Sequence, residues 1–458
     1  MKMNRSMAEA IYWKQMSLRG RGAVRDRLEW LVSNETKSPV EIDEIQAAKL
    51  RDLVAHSYRT VPYYRELMDE RGLKPDDIAT PADLAKLPVL SRARLAAHQD
   101  RLLSSEADTE SLQVNFSSGS TGVRAQFSQD QDFRLWMRAH QLRTYAWCSG
   151  WKLGDPFVLL WGSEIYWSLK QRIEQWENRL VNRREFNTFR LSPELIAAFL
   201  DELIAFRPAL VSTYSNAIHL ITGEAARRGL RIEGLRAVQA TSEPLPPALR
   251  ERIEQTLNCE VYDKYGMRES NVVAHESPDH NGMLLQSENV VVEILDDDLQ
   301  PCPEGVRGKL VVTPLNNRAM PLLRYETSDV AALLPRAADA ILPFPRISSV
   351  AGRLQDLIVV PGQGHVDSYF FSYLLMQQPL IHWFQVIQDR PEALTIRVYA
   401  PDGLDRATRN QLVERIVHHT QFPFQVEFDV LHRMPESSTG KFRLCVSNLE
   451  QTPRLDRA

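Results

Sequence analysis

Over the middle of the chain, short apolar runs opened by a proline alternate with amphipathic helical segments, and this rhythm is what most constrains the fold. The runs are DPFVLLWG at 155–162 and PALVSTYS at 208–215. Each is short and mainly apolar without strict polar alternation, as a strand covered on both faces should be. SPELIAAFLDELIAFRP reads as a helix started by Ser192, with Glu194 in its first turn, and stopped before Pro208. PPALRERIEQTLN at 246–258 reads as another helix, and CEVYDKYG at 259–266 as the strand after it. Strands that alternate with helices predict an α/β core in which a mainly parallel sheet is flanked by helices. From Glu288 to Leu315 the texture changes to ENVVVEILDDDLQPCPEGVRGKLVVTPL. Two β-branched runs joined by a polar turn with Pro303 and Gly305 predict an antiparallel hairpin. Upstream, EIDEIQAAKLRDLVAHSYRT carries apolar residues at helical spacing and should close at Pro62. A further unit is expected to start near GRLQDLIVVPGQGHVD, at 352–367, and to run to the end.

A chain of 458 residues exceeds what one hydrophobic core usually organises, so two or more domains are expected. A net charge of -4 gives no reason to expect nucleic acid or an anionic membrane as the main partner. No apolar run approaches the ~18 residues that span a bilayer. The opening MKMNRSMAEAIYWKQMSLRGRG lacks the apolar centre of a secretory signal. Cys148, Cys259, Cys302 and Cys445 are scattered and form no CxxC pair. That pattern predicts reduced thiols in a soluble cytoplasmic protein.

NFSSGSTGVRAQF, at 115–127, sets four hydroxyl side chains and two glycines between two phenylalanines. Successive N–H groups in such a loop form a concave donor surface, and glycine lets the backbone approach an anion closely. Ser117, Ser118, Ser120 and Thr121 add hydroxyl donors beside Gly119 and Gly122. No Lys-Ser or Lys-Thr follows the last glycine, so this is not a Walker loop. Taken alone, a solvated turn and a phosphate-holding loop both remain open.

Four more stretches follow in order: VYDKYGMRES, RYETSDVA, GRLQD and ESSTGKFRL. With the Ser/Gly loop they resemble the motifs of adenylate-forming enzymes, the acyl- and aryl-CoA synthetase superfamily. The likeness is greatest to the phenylacetate-CoA ligase branch and its CapK-like group. VPYYRELMDERGLKPDDIATPADLAKLPVLSRARL, the arginine in YGMRE and the wording of NNRAMPLLRYETSD point to that branch. The resemblance covers nearly the whole chain.

It implies residues 1–354 as an N-terminal adenylation core and 355–458 as a small mobile α+β lid that pivots at Gln355. It implies ATP and Mg²⁺ as cofactors, with the loop from Ser117 to Gly122 on the β- and γ-phosphates. Tyr265 and Gly266 would lie against adenine, Asp329 on the ribose hydroxyls, and Arg353 on ribose or phosphate. Glu269 would coordinate Mg²⁺, a hard cation that suits carboxylate oxygen. Lys441 would touch the carboxylate and α-phosphate oxygens and offset charge developing there. In QATSEPLPP, Thr241, Ser242 and Glu243 would pass backbone by adenine and acyl group, though a serine capping the next helix explains the same residues. Trp161, Tyr214 and Ser215, on expected strand ends, are candidates for the acid pocket.

Departures from the family pattern are Arg124 where proline is frequent, Ser328 where the wider superfamily has glycine, and Gln355 where the hinge usually has Asp or Lys. Some relatives carry a structural zinc. Here AHESPDHNGM offers His275 and His280 but puts Ser277 and Met283 in ligand places, so none is expected. The expected reaction joins a carboxylic acid, by default an aryl acid, to a thiol of CoA or of carrier-protein phosphopantetheine. Transfer to an amine or hydroxyl, nucleotidyl transfer, and a silent nucleotide-binding module are the other readings. Retention of Glu269, Asp329, Arg353 and Lys441 together argues against the silent one. An acyl carrier protein as partner and a homodimer are left open.

Overall fold

The computed structural model describes residues 2–116, 126–161, 176–187, 193–336, 340–350 and 358–449, apart from 363, 367–369, 372–373, 376–377, 379, 382, 434 and 436–442. The Ser/Gly loop from Ser117 to Gly122, Arg124, Ser192, Arg353, Gln355 and Lys441 therefore lie outside the described residues. In chain order the strands begin with β1 (Gln113–Phe116), β2 (Gln126–Gln129), β3 (Phe157–Trp161), β4 (Arg183–Asn187), β5 (Leu210–Tyr214) and β6 (Ala237–Thr241). Then come β7 (Glu260–Met267), β8 (Asn271–Glu276), β9 (Met283–Leu285), β10 (Val290–Leu295), β11 (Arg307–Pro314), β12 (Tyr325–Leu334) and β13 (Arg346–Ile347). The last are β14 (Ile358–Val360), β15 (Gly364–Val366), β16 (Trp383–Arg390), β17 (Ala393–Tyr399), β18 (Gln425–Leu431) and β19 (Cys445–Ser447). The chain divides into two compact units.

The first unit comprises Met1–Tyr12, Cys148–Asp263 and Val350–Ala458. Here β3 pairs with β4 and β5, and β5 with β6, all parallel, as the strand–helix rhythm predicts. Every residue of β5 and β6 is buried, which is why these runs lack polar alternation. The expected helices are present as Pro193–Phe206 and Pro247–Leu257, with Ser215–Arg228 between them. The last stops at Gly229, whose φ of 63° is the left-handed turn a glycine adopts without strain. Within the same unit, residues after Val350 build a four-stranded sheet in the order β18-β17-β16-β19 and the hairpin β14-β15. Phe384, Val386, Ile396 and Leu412 share one buried cluster with Val211, Val238, Leu249 and Ile253. Buried Gln388 on β16 completes the tie to β14: its amide accepts from Val359 N at 2.8 Å and donates to Val359 O at 2.7 Å.

The second unit comprises Trp13–Trp147 and Lys264–Ser349. Its strands run antiparallel in the order β10-β11-β12-β13-β9-β8-β7, beside the separate hairpin β1-β2. The hairpin expected between 288 and 315 is β10-β11, in register from Val290 opposite Pro314 to Leu295 opposite Lys309. The helix expected upstream is Pro39–Thr60, opened by a capping box between Ser38 and Glu41. It closes at Thr60, and Pro62 then takes the first position of the next helix, Pro62–Glu70.

A charged group sits in the middle of this unit's core. Arg143 and Glu288 are both fully buried, and the guanidinium donates to the two carboxylate oxygens at 2.8 and 3.0 Å and to Gln286 Oε1 at 2.5 Å. Burial alone would raise the Glu288 carboxyl, but Arg143 outweighs it and holds the group down to about 2. His140, beside this pair, is held down to about 3 by burial and by the Arg143 charge. Burial likewise holds His275 to about 3.

Both imidazoles are therefore neutral in the folded protein. Unfolding returns them to an ordinary value near 6.5, so the unfolded chain binds protons that the folded one refuses. The stability they contribute is complete above 6.5 and is lost as pH falls from there toward about 3. Thermal melts across that range should show the midpoint dropping on the acid side, with a shallower drop in His140→Gln.

Candidate active site

The second unit carries its candidate residues on a fault in a ladder. Two steps along β11, from Lys309 to Val311, face four along β12, from Val330 to Glu326, so Thr327, Ser328 and Asp329 form a bulge. Ser328 sits at φ +68°, the left-handed region that glycine occupies freely, so the position suits the glycine of the wider superfamily and serine holds it under strain. Thr327 pins the bulge: its hydroxyl donates to Leu310 O at 2.8 Å and accepts the Asp329 N–H at 3.1 Å. The Asp329 carboxylate accepts the Tyr265 hydroxyl at 2.5 Å. Burial first, and then the Asp329 charge, push the Tyr265 phenol well above its ordinary value.

Tyr265 lies on β7 before a glycine that close approach requires. A Cβ on Gly266 would lie 2.4 Å from Asn271 O, at the point where the β7-β8 register shifts. Beyond it, Glu269 stands in the turn to β8, buried, and accepts the Tyr325 hydroxyl at 3.2 Å. Burial raises this carboxyl despite the Tyr325 hydrogen bond and the nearby charges of Arg92 and Arg268. The turn is held from below: buried Asn289 donates to Ser270 O at 2.9 Å and Val272 O at 2.7 Å. A partly desolvated single carboxylate of this kind fits Mg²⁺ that takes its other ligands from phosphate and water.

The stem of the Ser/Gly loop belongs to the same unit. Gln129 on β2 donates to Arg268 O at 2.8 Å, next to Glu269, and accepts from Asn115 on β1 at 2.8 Å. Asn317 donates to Ser128 O at 2.9 Å, and Asp130 accepts the N–H groups of Arg318 and Ala319, both at 3.1 Å. NNRAMPLLRY is thus a clamp on the loop's stem and on the start of β12. Arg324, buried, forks onto Glu293 at 2.8 and 3.1 Å and donates to Leu87 O, while Leu90 pairs with Tyr325. The LPVLSR stretch is docked on β12 in this way. Arg92, Asn289 and Asn317 were not among the expected site residues. Arg92 and Asn317 have a sequence signal, since they lie in the two stretches, VPYYRELMDERGLKPDDIATPADLAKLPVLSRARL and NNRAMPLLRYETSD, that resemble the family.

In the first unit the candidates sit at carboxyl ends of parallel strands, where ligands collect in α/β sheets. Trp161 ends β3 and Tyr214 ends β5, with ring centroids 4.6 Å apart at 39°. Thr241 ends β6 opposite Tyr214, and Ser242 follows at φ +69°. Ser242 does not cap the next helix, because Pro246 takes the cap position with no side-chain bond. Glu243 instead serves the helix Ser215–Arg228: its carboxylate accepts Asn216 N at 2.9 Å and its carbonyl accepts Ser215 Oγ at 3.1 Å. His275 bonds Glu276 O through Nδ1 at 2.7 Å, and His280 Nδ1 lies 3.3 Å from the Glu276 carboxylate. Among the described residues, no three His, Cys, Asp or Glu side chains are grouped to hold a metal ion.

If the bulge is what aims Asp329, Ser328→Gly should relieve strain and stabilise by up to about 1 kcal/mol. Ser328→Val, β-branched at positive φ, should cost about 1–3 kcal/mol. Urea unfolding of the two variants checks the order; equal effects would remove the bulge from the account.

Residues 40–316 match the family model described as AMP-binding enzyme, and residues 358–448 match that of the CapK C-terminal domain. A phenylacetate-coenzyme A ligase of Thermus thermophilus is 26% identical over 457 residues, spanning 89% of this chain and 97% of that protein. One from Aromatoleum evansii is 27% identical over 338 residues, spanning 72% of this chain and 74% of that protein. Among solved structures, 2-hydroxyisobutyryl-CoA ligase in complex with 2-HIB-AMP aligns with a TM-score of 0.75 at 20% identity, over 91% of this chain and 92% of that one. At that identity the likeness is one of fold. With the family model covering more than half of its length, the chain belongs to the AMP-binding enzyme family, as an adenylate-forming ligase of the phenylacetate-CoA ligase-like branch with a CapK-type C-terminal domain.

Proposed function

We propose that this ligase uses ATP to turn a carboxylic acid, an aryl acid by preference, into its acyl-adenylate, and then passes the acyl group to the thiol of coenzyme A. The observation that carries the reading is the pair of tyrosine–carboxylate bonds, Tyr265 to Asp329 and Tyr325 to Glu269, beside the stem of a Ser/Gly loop. It sets two carboxylates of different character within one unit. Asp329, half-buried on its bulge, suits the two ribose hydroxyls as an acceptor. Glu269, more deeply buried, would hold Mg²⁺, which shields phosphate charge when bound. The Tyr265 ring offers a face for adenine. The aromatic pair of Trp161 and Tyr214, and the names of the curated relatives, support an aryl acid.

In the first step a carboxylate oxygen attacks the α-phosphorus of ATP. The P–O bond to the β-phosphate breaks, and pyrophosphate leaves with that electron pair. Positioning and charge stabilisation supply the catalysis. Ser117 to Gly122 and Arg353 are assigned to the phosphates and ribose, and Lys441 to the oxygens around the reacting phosphorus. In the second step the thiol sulfur, having lost its proton, attacks the acyl carbon and AMP departs. The segment 355–458, turning about Gln355, is proposed to withdraw Lys441 between the steps.

Lys441→Ala should lower adenylation by ~10³-fold or more, the scale for losing a charge that acts in the transition state. It should leave thioester formation from supplied acyl-AMP nearly intact. Adenylation at the normal rate would remove Lys441 from the mechanism. Asp329→Ala should raise the KM for ATP by about 10- to 100-fold, since charged hydrogen bonds to two hydroxyls are lost.

A further inference from the structure

Asn216 is the second residue of the helix that follows β5. It therefore lies beside Tyr214 and Ser215 at the carboxyl end of the parallel sheet. Its backbone N–H is used, by the Glu243 carboxylate at 2.9 Å. Asn216 is 2% exposed, and its amide Nδ2 is buried with no hydrogen-bond partner among the described residues. A buried amide donor gives up its hydrogen bonds to water, and native proteins seldom leave such a group unmatched unless something else completes it. Two residues before it, Tyr214 packs against Trp161 with ring centres 4.6 Å apart and planes tilted by 39°. An unmatched donor in the turn of helix that follows β5, at the end of the sheet where ligands bind, is a place for one polar atom of a mostly apolar ligand.

We propose that Asn216 is a specificity-determining residue and that the acid taken by this ligase carries a hydroxyl group, which hydrogen-bonds the Asn216 side-chain amide. The inference rests on the acid-activating function argued above and narrows its substrate class. A hydroxyl is favoured over a carbonyl or ether oxygen by the amide's own ambiguity. The oxygen and nitrogen ends of an asparagine are assigned from their bonding partners, and a rotated amide would present an acceptor instead. A hydroxyl both donates and accepts, so it satisfies either orientation. The rest of the acid is free to be aryl or aliphatic.

Specificity of this kind is strong, because a site built to bond a hydroxyl is left with an unpaired buried group when the analogue lacks one. The test is carboxylate-dependent exchange of labelled pyrophosphate into ATP, read on matched acids: 4-hydroxyphenylacetate against phenylacetate, 4-hydroxybenzoate against benzoate, and 3-hydroxybutyrate against butyrate. Wild-type enzyme should favour the hydroxylated member of at least one pair by ~10-fold or more in kcat/KM. In Asn216→Leu that ratio should fall to near one, the hydroxylated acid losing its advantage and the deoxy acid gaining, since no buried amide is then left unmatched. The deoxy acid is the internal control for folding, and the wild-type ratio stands even if the variant does not fold. Ratios at or below one for all three pairs would overturn the proposal, as would a ratio unchanged in a folded Asn216→Leu. A buried water serving Asn216 alone would give that result. No exchange with any acid would overturn both this proposal and the ligase reading, whereas exchange without discrimination would overturn this one only.

Discussion

Two hydroxyl–carboxylate bonds run in opposite senses between β7 and β12. Tyr265 on β7 reaches Asp329 on β12, and Tyr325 on β12 reaches Glu269 in the turn after β7. Each element supplies one donor and one acceptor, so neither carboxylate can shift without breaking a bond to the other strand. Burial raises both the Glu269 carboxyl and the Tyr265 phenol, which leaves the phenol a donor and makes the carboxylates costly to leave unmatched. Much of the second unit serves this arrangement. The bulge supplies the direction of Asp329, Gly266 supplies the close approach at the β7-β8 turn, and Asn289 fixes the carbonyls that follow Glu269.

Below that level the unit is stiffened by buried polar groups. Asn316 donates to Asn289 Oδ1 at 2.9 Å and accepts from Lys49 Nζ at 2.7 Å, and Lys49 lies 4.0 Å from the Trp136 ring centre. Burial brings the Lys49 ammonium down to about 8, with the Glu288 charge working against that fall. Arg143 and Glu288 form the next layer, fully buried and bonded to each other. Pairs of this kind contribute little net stability over a well-packed apolar substitute, but removing one member leaves a buried charge unmatched at a cost of about 3–5 kcal/mol. They bind distant parts of the chain to one geometry. Rigid support of this sort is what a site needs if its catalysis is mainly positioning.

The parts of the fold that the sequence disclosed are those with local causes. Proline-opened apolar runs became parallel strands, and the β-branched runs around DDDLQPCPEG became the β10-β11 hairpin. The segment after Val350 showed as a separate texture, but its sharing of a core cluster with Val211 and Leu249 depends on contacts far apart in sequence. The Arg143–Glu288 pair spans 145 residues and has no local mark at all. In the site, Tyr265, Glu269 and Asp329 stood out because their motifs keep one family's order. Ser328 stood out as a departure, and the strain it bears became visible only as a backbone angle. PALVSTYS drew attention to Tyr214 and Ser215 and stopped short of Asn216, because an unmatched buried amide is a property of three-dimensional packing.

The central claim is that this chain joins a carboxylate oxygen to the α-phosphorus of ATP. Isotope transfer tests it most directly: an acid labelled with oxygen-18 in its carboxylate is turned over with ATP and coenzyme A, and the nucleotide product is weighed by mass spectrometry. Adenylation followed by thiol attack leaves one labelled oxygen in AMP, since the carboxylate oxygen that formed the mixed anhydride departs with the phosphorus. Label in inorganic phosphate with ADP as product, or unlabelled AMP, would contradict the account.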